Sequence, residues 1–211
     1  MTRQIVRLAA FPAAVLVALL PAAPAFAHHV MGGRMPATFM QGLLSGLGHP
    51  VIGLDHFAAV VAVGCLAAAH RAGAALAIGF VVAMMAGVAA HLHGAAVPGA
   101  EILVALSVIV LGAVLLAHRE IKAVAALALF AVVGLLHGYA LGESIYGAEQ
   151  TPLAAYLIGL CVIQGAIALI AMMLARAAIL RTNQVPSLRL IGAGISGIGL
   201  AVLMQQLVPS V

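Results

Sequence analysis

The hydrophobic pattern of the chain consists of long apolar runs separated by short polar segments. A helix needs about 20 predominantly apolar residues to cross a bilayer, and six runs meet this requirement, at about 51–69, 73–93, 101–117, 122–141, 152–175 and 188–208. A shorter apolar run, Thr38 to Leu47, precedes the first of them and is too short to cross as a helix. We therefore predict an all-α, polytopic membrane helix bundle of about six transmembrane helices. A half-helix or interfacial segment leads into the first span, with the break at Gly48, His49 and Pro50.

The connecting loops carry basic residues in alternation, which indicates the orientation of the spans. The first loop has Arg71, the third has Arg119 and Lys122, and the fifth has Arg176 and Arg181, whereas the second and fourth have no lysine or arginine. Because positively charged loops stay on the cytoplasmic side, the odd-numbered loops are predicted to be cytoplasmic. Both ends of the mature chain should then lie outside, in a multi-pass protein of the bacterial cytoplasmic (inner) membrane.

The N-terminal segment has the pattern of a secretory signal peptide. Two arginines precede an apolar run from Leu8 to Leu20, and the small-residue ending AFA follows. We predict that residues 1–27 are a signal peptide that is cleaved, which leaves 28–211 as one transmembrane domain. An uncleaved anchor helix is the alternative, although the three prolines of this segment make a poor continuous span.

Composition supports a membrane protein and excludes other classes. Of the 211 residues, 65% are hydrophobic and 7% are charged, and the mean hydropathy is +1.25, which no water-soluble domain of this length reaches. The net charge of +4 comes from scattered basic residues, so the expected partner is the lipid bilayer and not nucleic acid. Because the chain has no phosphate-binding loop and no recognisable set of nucleophile, base and orienting group, we predict that it is not an enzyme. Cys65 and Cys161 lie within apolar runs and are interpreted as packing residues.

Histidines and acidic residues occur within the apolar runs or at their ends at a few positions, all toward the predicted outer face. They are His49, Asp55 and His56 at the start of the first span, His91 and His93 at the end of the second, Glu101 at the start of the third, and His137 and Glu143 at the end of the fourth. A charged side chain at the centre of a bilayer costs about 2.5 to 3.5 kcal/mol on insertion scales, so such residues normally face a cavity and have a partner. Their common position indicates a site near the outer face.

The first of these groups, His49, Asp55 and His56, has residues suited to a metal ion but an unfavourable spacing. On a straight helix the two histidines would lie about 10 Å apart along the axis, too far to bind one ion. The backbone must therefore depart from a straight helix if both bind it, and Pro50 and Gly53 supply a reason. Asp55 is either a direct ligand or a group that fixes the tautomer of a ligating imidazole. Alternatively, the motif only caps the first span and its histidines bond internally.

The other two groups are less specific. His91 and His93 alternate in the sequence HLHG, so they point about 200° apart on a helix and at most one should reach the first group. Either of them can equally be an interfacial residue in contact with water. In HGYALGES, His137 and Glu143 lie nearly two turns apart and are expected to present an imidazole and a carboxylate to the first group. The alternative is a capped helix end with solvated acids.

The stretch HPVIGLDHFAAVVAVG resembles the signature of the HupE/UreJ family of nickel and cobalt permeases, which reads His-Pro-x-x-Gly-x-Asp-His before an apolar helix. The resemblance extends to the plan of a signal peptide and about six spans. It implies that His49, Asp55 and His56 bind the metal, together with His137 and Glu143. The second family motif reads His-Gly-x-Ala-His-Gly-x-Glu, and this chain departs from it: Leu141 replaces the second histidine, and the glutamate comes one position early.

The predicted function is therefore a secondary transporter that imports a divalent transition-metal ion. Imidazole and carboxylate ligands suit nickel, cobalt or zinc, whereas Cu(I) favours sulfur ligands, so nickel or cobalt is preferred. An inside-negative potential of 100 mV drives a divalent cation inward by about 4.6 kcal/mol, so uptake needs no ATP. The ion is cargo, and no permanently bound cofactor is expected. Partners beyond the ion are a homo-oligomer or a downstream metal-binding protein.

The sequence is also compatible with an internal repeat and with two other functions. The motif-bearing first and fourth spans run in opposite directions, which suggests two inverted three-helix halves, 51–117 and 122–208. From another functional class, the chain could be a membrane electron-transfer subunit in which His91 and His137 ligate a haem. It could also be an accessory membrane subunit of a metalloenzyme maturation system, in which His49 serves assembly and not uptake.

Overall fold

The structure, a computed structural model, describes residues 34–117, 121–182 and 185–208. All regular secondary structure in these residues is helical, which confirms the predicted all-α class. The helices are α1 (Phe39–Ile52), α2 (Leu54–Ala67), α3 (Gly73–Leu92), α4 (Ala100–Ala117), α5 (Ala123–Glu143), α6 (Gln150–Thr182) and α7 (Val185–Leu207). The predicted signal peptide, residues 1–27, lies outside the described residues.

Five of the helices, α3 to α7, are long and apolar enough to cross a membrane. The remaining predicted span, which is the first along the chain, corresponds to the pair α1 and α2. These helices have 14 residues each and are bent by 77° at the junction between them. Since 14 residues extend only about 21 Å, neither helix crosses a hydrocarbon core of about 30 Å alone. The chain is thus a multi-pass membrane helix bundle with a broken first element.

The break in this first element lies at Gly53, not at Gly48, His49 and Pro50 as the sequence pattern predicts. Helix α1 continues through Pro50 to Ile52, and α2 begins at Leu54. Gly53 is extended, with φ −73° and ψ 100°. A methyl group on Gly53 would lie 2.9 Å from Cδ2 of His56, so there is little room for a side chain at the break. Pro50 lies inside α1 and does not end it.

Glycines bring α3 and α5 into backbone contact. Gly134, Gly138 and Gly142 recur every four residues on α5 and so share one face. A methyl group on Gly134 would lie 2.6 Å from the carbonyl oxygen of Phe80, and one on Gly138 would overlap the carbonyl oxygen of Met84. Such small-residue stripes allow close packing in a bilayer, where the hydrophobic effect does not drive helices together.

The other main helix pairs use the same device. Gly42 and Gly46 of α1 lie against the backbone of α6, and Gly192 and Gly199 of α7 lie against α4. Small residues thus let α1 approach α6 and α7 approach α4 closely. Among the described residues, nothing lies within 4 Å of a methyl group placed on Gly194 or Gly197, so these two glycines mark no close helix contact there.

The helix pairing is compatible with the predicted internal repeat. α3 packs mainly on α5, the broken α1–α2 element packs mainly on α6, and α4 packs mainly on α7. If the two halves of the chain were exchanged, the α3–α5 pair would take the place of the pair between α6 and the broken element. The α4–α7 pair would be exchanged with itself. The inverted relation of the halves stays a prediction.

The bundle has two ends, each named after a loop that lies there: the α3–α4 end and the α2–α3 end. At the α3–α4 end, the Tyr139 hydroxyl of α5 donates to the carbonyl of Ala95 and accepts from the N–H of Val97, so it ties α5 to the loop after α3. At the α2–α3 end, Arg189 of α7 donates from Nε to the carbonyl of Leu116 near the end of α4. Arg176 of α6 also lies at this end. Its guanidinium donates to the carbonyls of Ala68 and His70, where α2 has ended.

Replacing Arg176 by methionine should lower the stability of the bundle. The variant loses two charge-assisted hydrogen bonds to carbonyls that no longer have helical partners, so we expect the free energy of unfolding to fall by about 1.5 to 3 kcal/mol. Denaturant unfolding in detergent micelles measures the change. Arg71→Met is the matched control, because this arginine is exposed in the neighbouring loop and should leave stability unchanged. Equal stability of Arg176→Met and the wild type would contradict the capping role.

Candidate metal-binding site

Five buried polar residues of the described chain come together where four helices meet. We call them the histidine cluster: His49 of α1, Asp55 and His56 of α2, Ser107 of α4 and His137 of α5. Asp55 and His137 are each only 1% exposed. Burial of polar groups is costly without partners, so their contacts decide what the cluster can do.

The bend at Gly53 brings His49 and His56 close together. Their ring centroids lie 6.1 Å apart at an interplanar angle of 63°, although seven residues separate them in the chain. Tyr156 of α6 also lies near His49, with 6.4 Å between ring centroids. The close approach is what the predicted departure from a straight helix requires for two histidines at one site.

Asp55 is placed to organise the start of α2. Its Oδ1 accepts a hydrogen bond of 2.8 Å from the N–H of His56. A carboxylate in the first turn is also stabilised by the positive end of the helix dipole. The contact ties the carboxylate directly to the backbone that carries His56. Whether Asp55 also ligates an ion stays a prediction.

His56, His137 and Ser107 form a chain of hydrogen bonds. The Nδ1 atoms of the two histidines lie 2.8 Å apart, and Nε2 of His137 lies 2.9 Å from Oγ of Ser107. The hydroxyl of Ser107 donates its one proton to the carbonyl of Val104, at 2.7 Å. Ser107 must therefore accept from His137, which carries its proton on Nε2 and, when neutral, accepts at Nδ1.

The direction of these hydrogen bonds determines the tautomer of His56. Because His137 accepts at Nδ1, His56 donates from Nδ1 and keeps a lone pair on Nε2. Metal-ligating histidines usually donate their other ring N–H in this way, which orients the ring and raises its basicity. Both ring nitrogens of His137 are engaged. This geometry favours a supporting role for His137 behind His56, and its predicted role as a ligand stays untested.

The cluster is not closed around an ion in this structure. Among the described residues, no three side chains of His, Cys, Asp or Glu are arranged to hold a metal ion. Nδ1 of His56 and Nδ1 of His137 are hydrogen-bonded to each other at 2.8 Å, so these two nitrogens are not directed at a common ion. A bound ion would need the imidazoles to rotate toward it.

The other predicted site residues lie apart from the cluster, at the α3–α4 end. A cavity of about 440 Å³ lies there, lined by His91, Glu101, Tyr139, Glu143 and Gln206 among others. Glu143 is exposed, and its position six residues after His137 puts it about 9 Å farther along α5. It therefore does not face the first motif, contrary to the expectation from the spacing.

The two histidines of HLHG also stay out of the cluster. The ring of His91 packs against Tyr139 and Tyr146, with centroids 4.7 Å and 5.6 Å away. His93 is exposed. The expectation that at most one of the pair reaches the first group is compatible with this arrangement, in which neither does.

Sequence reasoning misses Ser107 and Tyr156. Each is a polar residue flanked on both sides by apolar residues, without a neighbouring motif that marks it. Tyr156 is fully buried, and its hydroxyl donates to the carbonyl of Leu141 and also contacts Oγ of Ser144. The signal available in the sequence is only that an apolar span contains one hydroxyl, which ordinary helix packing also explains.

Comparison with known proteins agrees with the motif. The family profile described as HupE / UreJ protein matches residues 15–202. A relative named "Protein HupE", from Rhizobium leguminosarum bv. viciae, is 33% identical over 123 residues, which are 57% of this chain and 62% of the relative. The match thus spans less than two thirds of that relative. No solved structure matches the chain. Since the family profile covers most of the sequence, the chain belongs to the HupE/UreJ family.

Proposed function

We propose that the protein is a secondary transporter that imports nickel or cobalt across the bacterial cytoplasmic membrane. The HupE/UreJ family is associated with nickel and cobalt transport. The observation that carries the proposal is the histidine cluster, where three imidazoles and a carboxylate are buried inside an otherwise apolar bundle. Intramembrane ionisable residues typically mark an ion pathway.

The ligand chemistry of the cluster supports a borderline divalent ion. Imidazole nitrogen and carboxylate oxygen bind nickel, cobalt and zinc, and both cysteines lie outside the cluster. His56 offers Nε2 to the ion, while His137 and Ser107 hold its ring. Rotation of His49 toward His56 would bring a second imidazole to the same ion.

The cavity at the α3–α4 end supports an entry route. Glu101, Glu143 and His91 line it, and carboxylates raise the local concentration of cations in a cleft with apolar walls. In the orientation that the basic loops favour, this end faces outside. An ion would collect here with its water shell, lose part of that shell at the histidine cluster, and move inward as the helices rearrange.

Two alternatives have less support. A haem-binding electron-transfer subunit would use His91 and His137, but His137 already engages both ring nitrogens within the cluster. An accessory subunit of a maturation system would not need buried imidazoles inside the bundle. Neither alternative is favoured by a specific contact of the described residues.

Radioactive nickel and cobalt uptake tests the proposed function. In bacterial cells that lack their own high-affinity uptake of these metals, we expect the wild-type protein to accumulate one of them. His49→Ala and Asp55→Ala should lower the initial rate by about tenfold or more at equal membrane levels, because each removes a ligand or an orienting group. His93→Ala is the matched control, since this histidine is exposed.

Metal uptake by the wild-type protein decides whether the transport proposal holds. A correctly inserted wild-type protein that accumulates neither metal would contradict the transport proposal. Transport by the wild type with unchanged rates in both variants would leave a permease but remove the histidine cluster as its site.

A further inference from the structure

Gln164 is a polar side chain in the middle of α6 with no evident structural partner. Its exposure is 0%, and neither its amide nitrogen nor its amide oxygen has a hydrogen-bond partner among the described residues. An amide buried in an apolar environment without partners is unfavourable. Leucine or methionine would fill a similar volume without this cost, so packing alone does not account for the glutamine.

The position of Gln164 relates it to the broken α1–α2 element. Six residues of α6 follow each other at intervals of four and form one ridge: Tyr156, Leu160, Gln164, Ala168, Met172 and Arg176. A methyl group on Gly46 of α1 would lie 2.9 Å from the nitrogen of Leu160, and one on Gly64 of α2 would overlap the carbonyl oxygen of Ala168. Gln164 lies one turn from each of these contacts, so it shares the face of α6 that covers the broken element.

The two ends of this ridge define a direction. Tyr156 lies beside His49 of the histidine cluster, and Arg176 binds the carbonyls that follow α2 at the α2–α3 end. Gln164 is about 12 Å along α6 from Tyr156 and about 18 Å from Arg176, at about 1.5 Å per residue. The amide is therefore the one polar side chain on the ridge between the cluster and the α2–α3 end.

We propose that Gln164 is a transient contact for the divalent cation, still carrying part of its water shell, between the histidine cluster and the α2–α3 end. The inference rests on the proposed transport function and adds a second contact to it. The amide oxygen accepts from a water of the ion or binds the ion directly, and the amide N–H₂ donates to a second water. A neutral oxygen holds a nickel or cobalt ion more weakly than imidazole does. Conduction requires contacts weak enough for the ion to leave.

Gln164→Leu tests this contact by separating binding from transport. We expect the variant to bind Ni²⁺ or Co²⁺ in detergent with wild-type affinity, measured by titration calorimetry, because the histidine cluster is unchanged. Its maximal uptake rate should fall by about tenfold or more. Its thermal midpoint should be unchanged or higher, because the orphaned amide is gone. Ile170→Met is the matched control, as this residue of α6 is 56% exposed on the outside of the bundle.

A cysteine at the same position provides a readout that does not depend on transport rates. In a background with Cys65→Ala and Cys161→Ala, Gln164→Cys should react with a small water-soluble thiol reagent, and Ni²⁺ or Co²⁺ should slow the reaction. Val162→Cys, whose native side chain is 59% exposed on the outside of the bundle and so faces lipid, should not react with this reagent in the membrane, with or without the metal.

The two proposals fail in different ways. A wild-type protein that transports neither metal overturns the proposed function and this inference together. Wild-type transport with an equal maximal rate in Gln164→Leu overturns this inference alone, and so does a cysteine at 164 whose reaction the metal does not affect.

Discussion

Replacing His56 by alanine should abolish metal uptake, and replacing Ser107 by alanine should weaken it in a graded way. His56 carries the lone pair that the hydrogen-bond chain leaves available at Nε2, so its removal deletes the best-oriented ligand of the cluster. Ser107 only holds His137, which in turn holds His56. Loss of such a supporting contact typically costs 10- to 100-fold in metal affinity or activity.

The order of the two effects is the informative result. Initial uptake rates over a range of nickel or cobalt concentrations separate a raised KM, expected for Ser107→Ala, from the complete loss expected for His56→Ala. Ser196→Ala is the matched control: its hydroxyl lies in α7, outside the cluster, and is buried without a hydrogen-bond partner among the described residues. Wild-type uptake kinetics in Ser107→Ala would mean that the hydrogen bonds from Ser107 through His137 do not orient His56 for the ion.

Replacing Gly138 by alanine should prevent correct assembly of the bundle. The added methyl group would overlap the backbone carbonyl of Met84, and a backbone atom in a packed helix cannot move aside as a side chain can. Overpacking of this kind typically costs 1 to 3 kcal/mol, and we expect at least about 3 kcal/mol here because α3 must shift as a whole. The same shift would displace His137, which precedes Gly138.

Gly194→Ala provides the comparison for this prediction. A methyl group on Gly194 would meet no atom of the described residues within 4 Å, and alanine is the better helix former, so stability should be unchanged or slightly higher. The folded, monodisperse fraction after detergent extraction, followed by thermal unfolding, measures both variants. Equal thermal midpoints for Gly138→Ala and the wild type would show that α3 and α5 can separate at this point without loss.

The positions of the helices were largely predictable from the sequence. The apolar run at about 101–117 became Ala100–Ala117, and the run at about 73–93 became Gly73–Leu92. The reason is that the backbone N–H and C=O groups of a span must form hydrogen bonds within its own helix, and the helix must be as long as the bilayer core is thick. A span therefore appears in the sequence as one continuous apolar run. The broken first element was less predictable, since both Pro50 and Gly53 are plausible breaking points.

The candidate site was predictable only in part. His49, Asp55, His56 and His137 stand out because ionisable residues are rare in an apolar span, and the resemblance to a family motif points to the same four residues. Glu143 shows the limit of this reasoning. It is close to His137 in sequence, but it follows two turns later on a regular helix and so reaches the α3–α4 end.

The sequence by itself determined that this is a helical membrane protein of the HupE/UreJ family with histidines and an aspartate in its first motif. Only the tertiary structure decided that the bend lies at Gly53, that His137 and Ser107 support His56, and that Gln164 lies buried beside the broken element. The physical reason is the range of the interactions. Span length and polarity are local properties of consecutive residues, whereas these contacts join helices whose relative rotation depends on where glycines allow two backbones to meet.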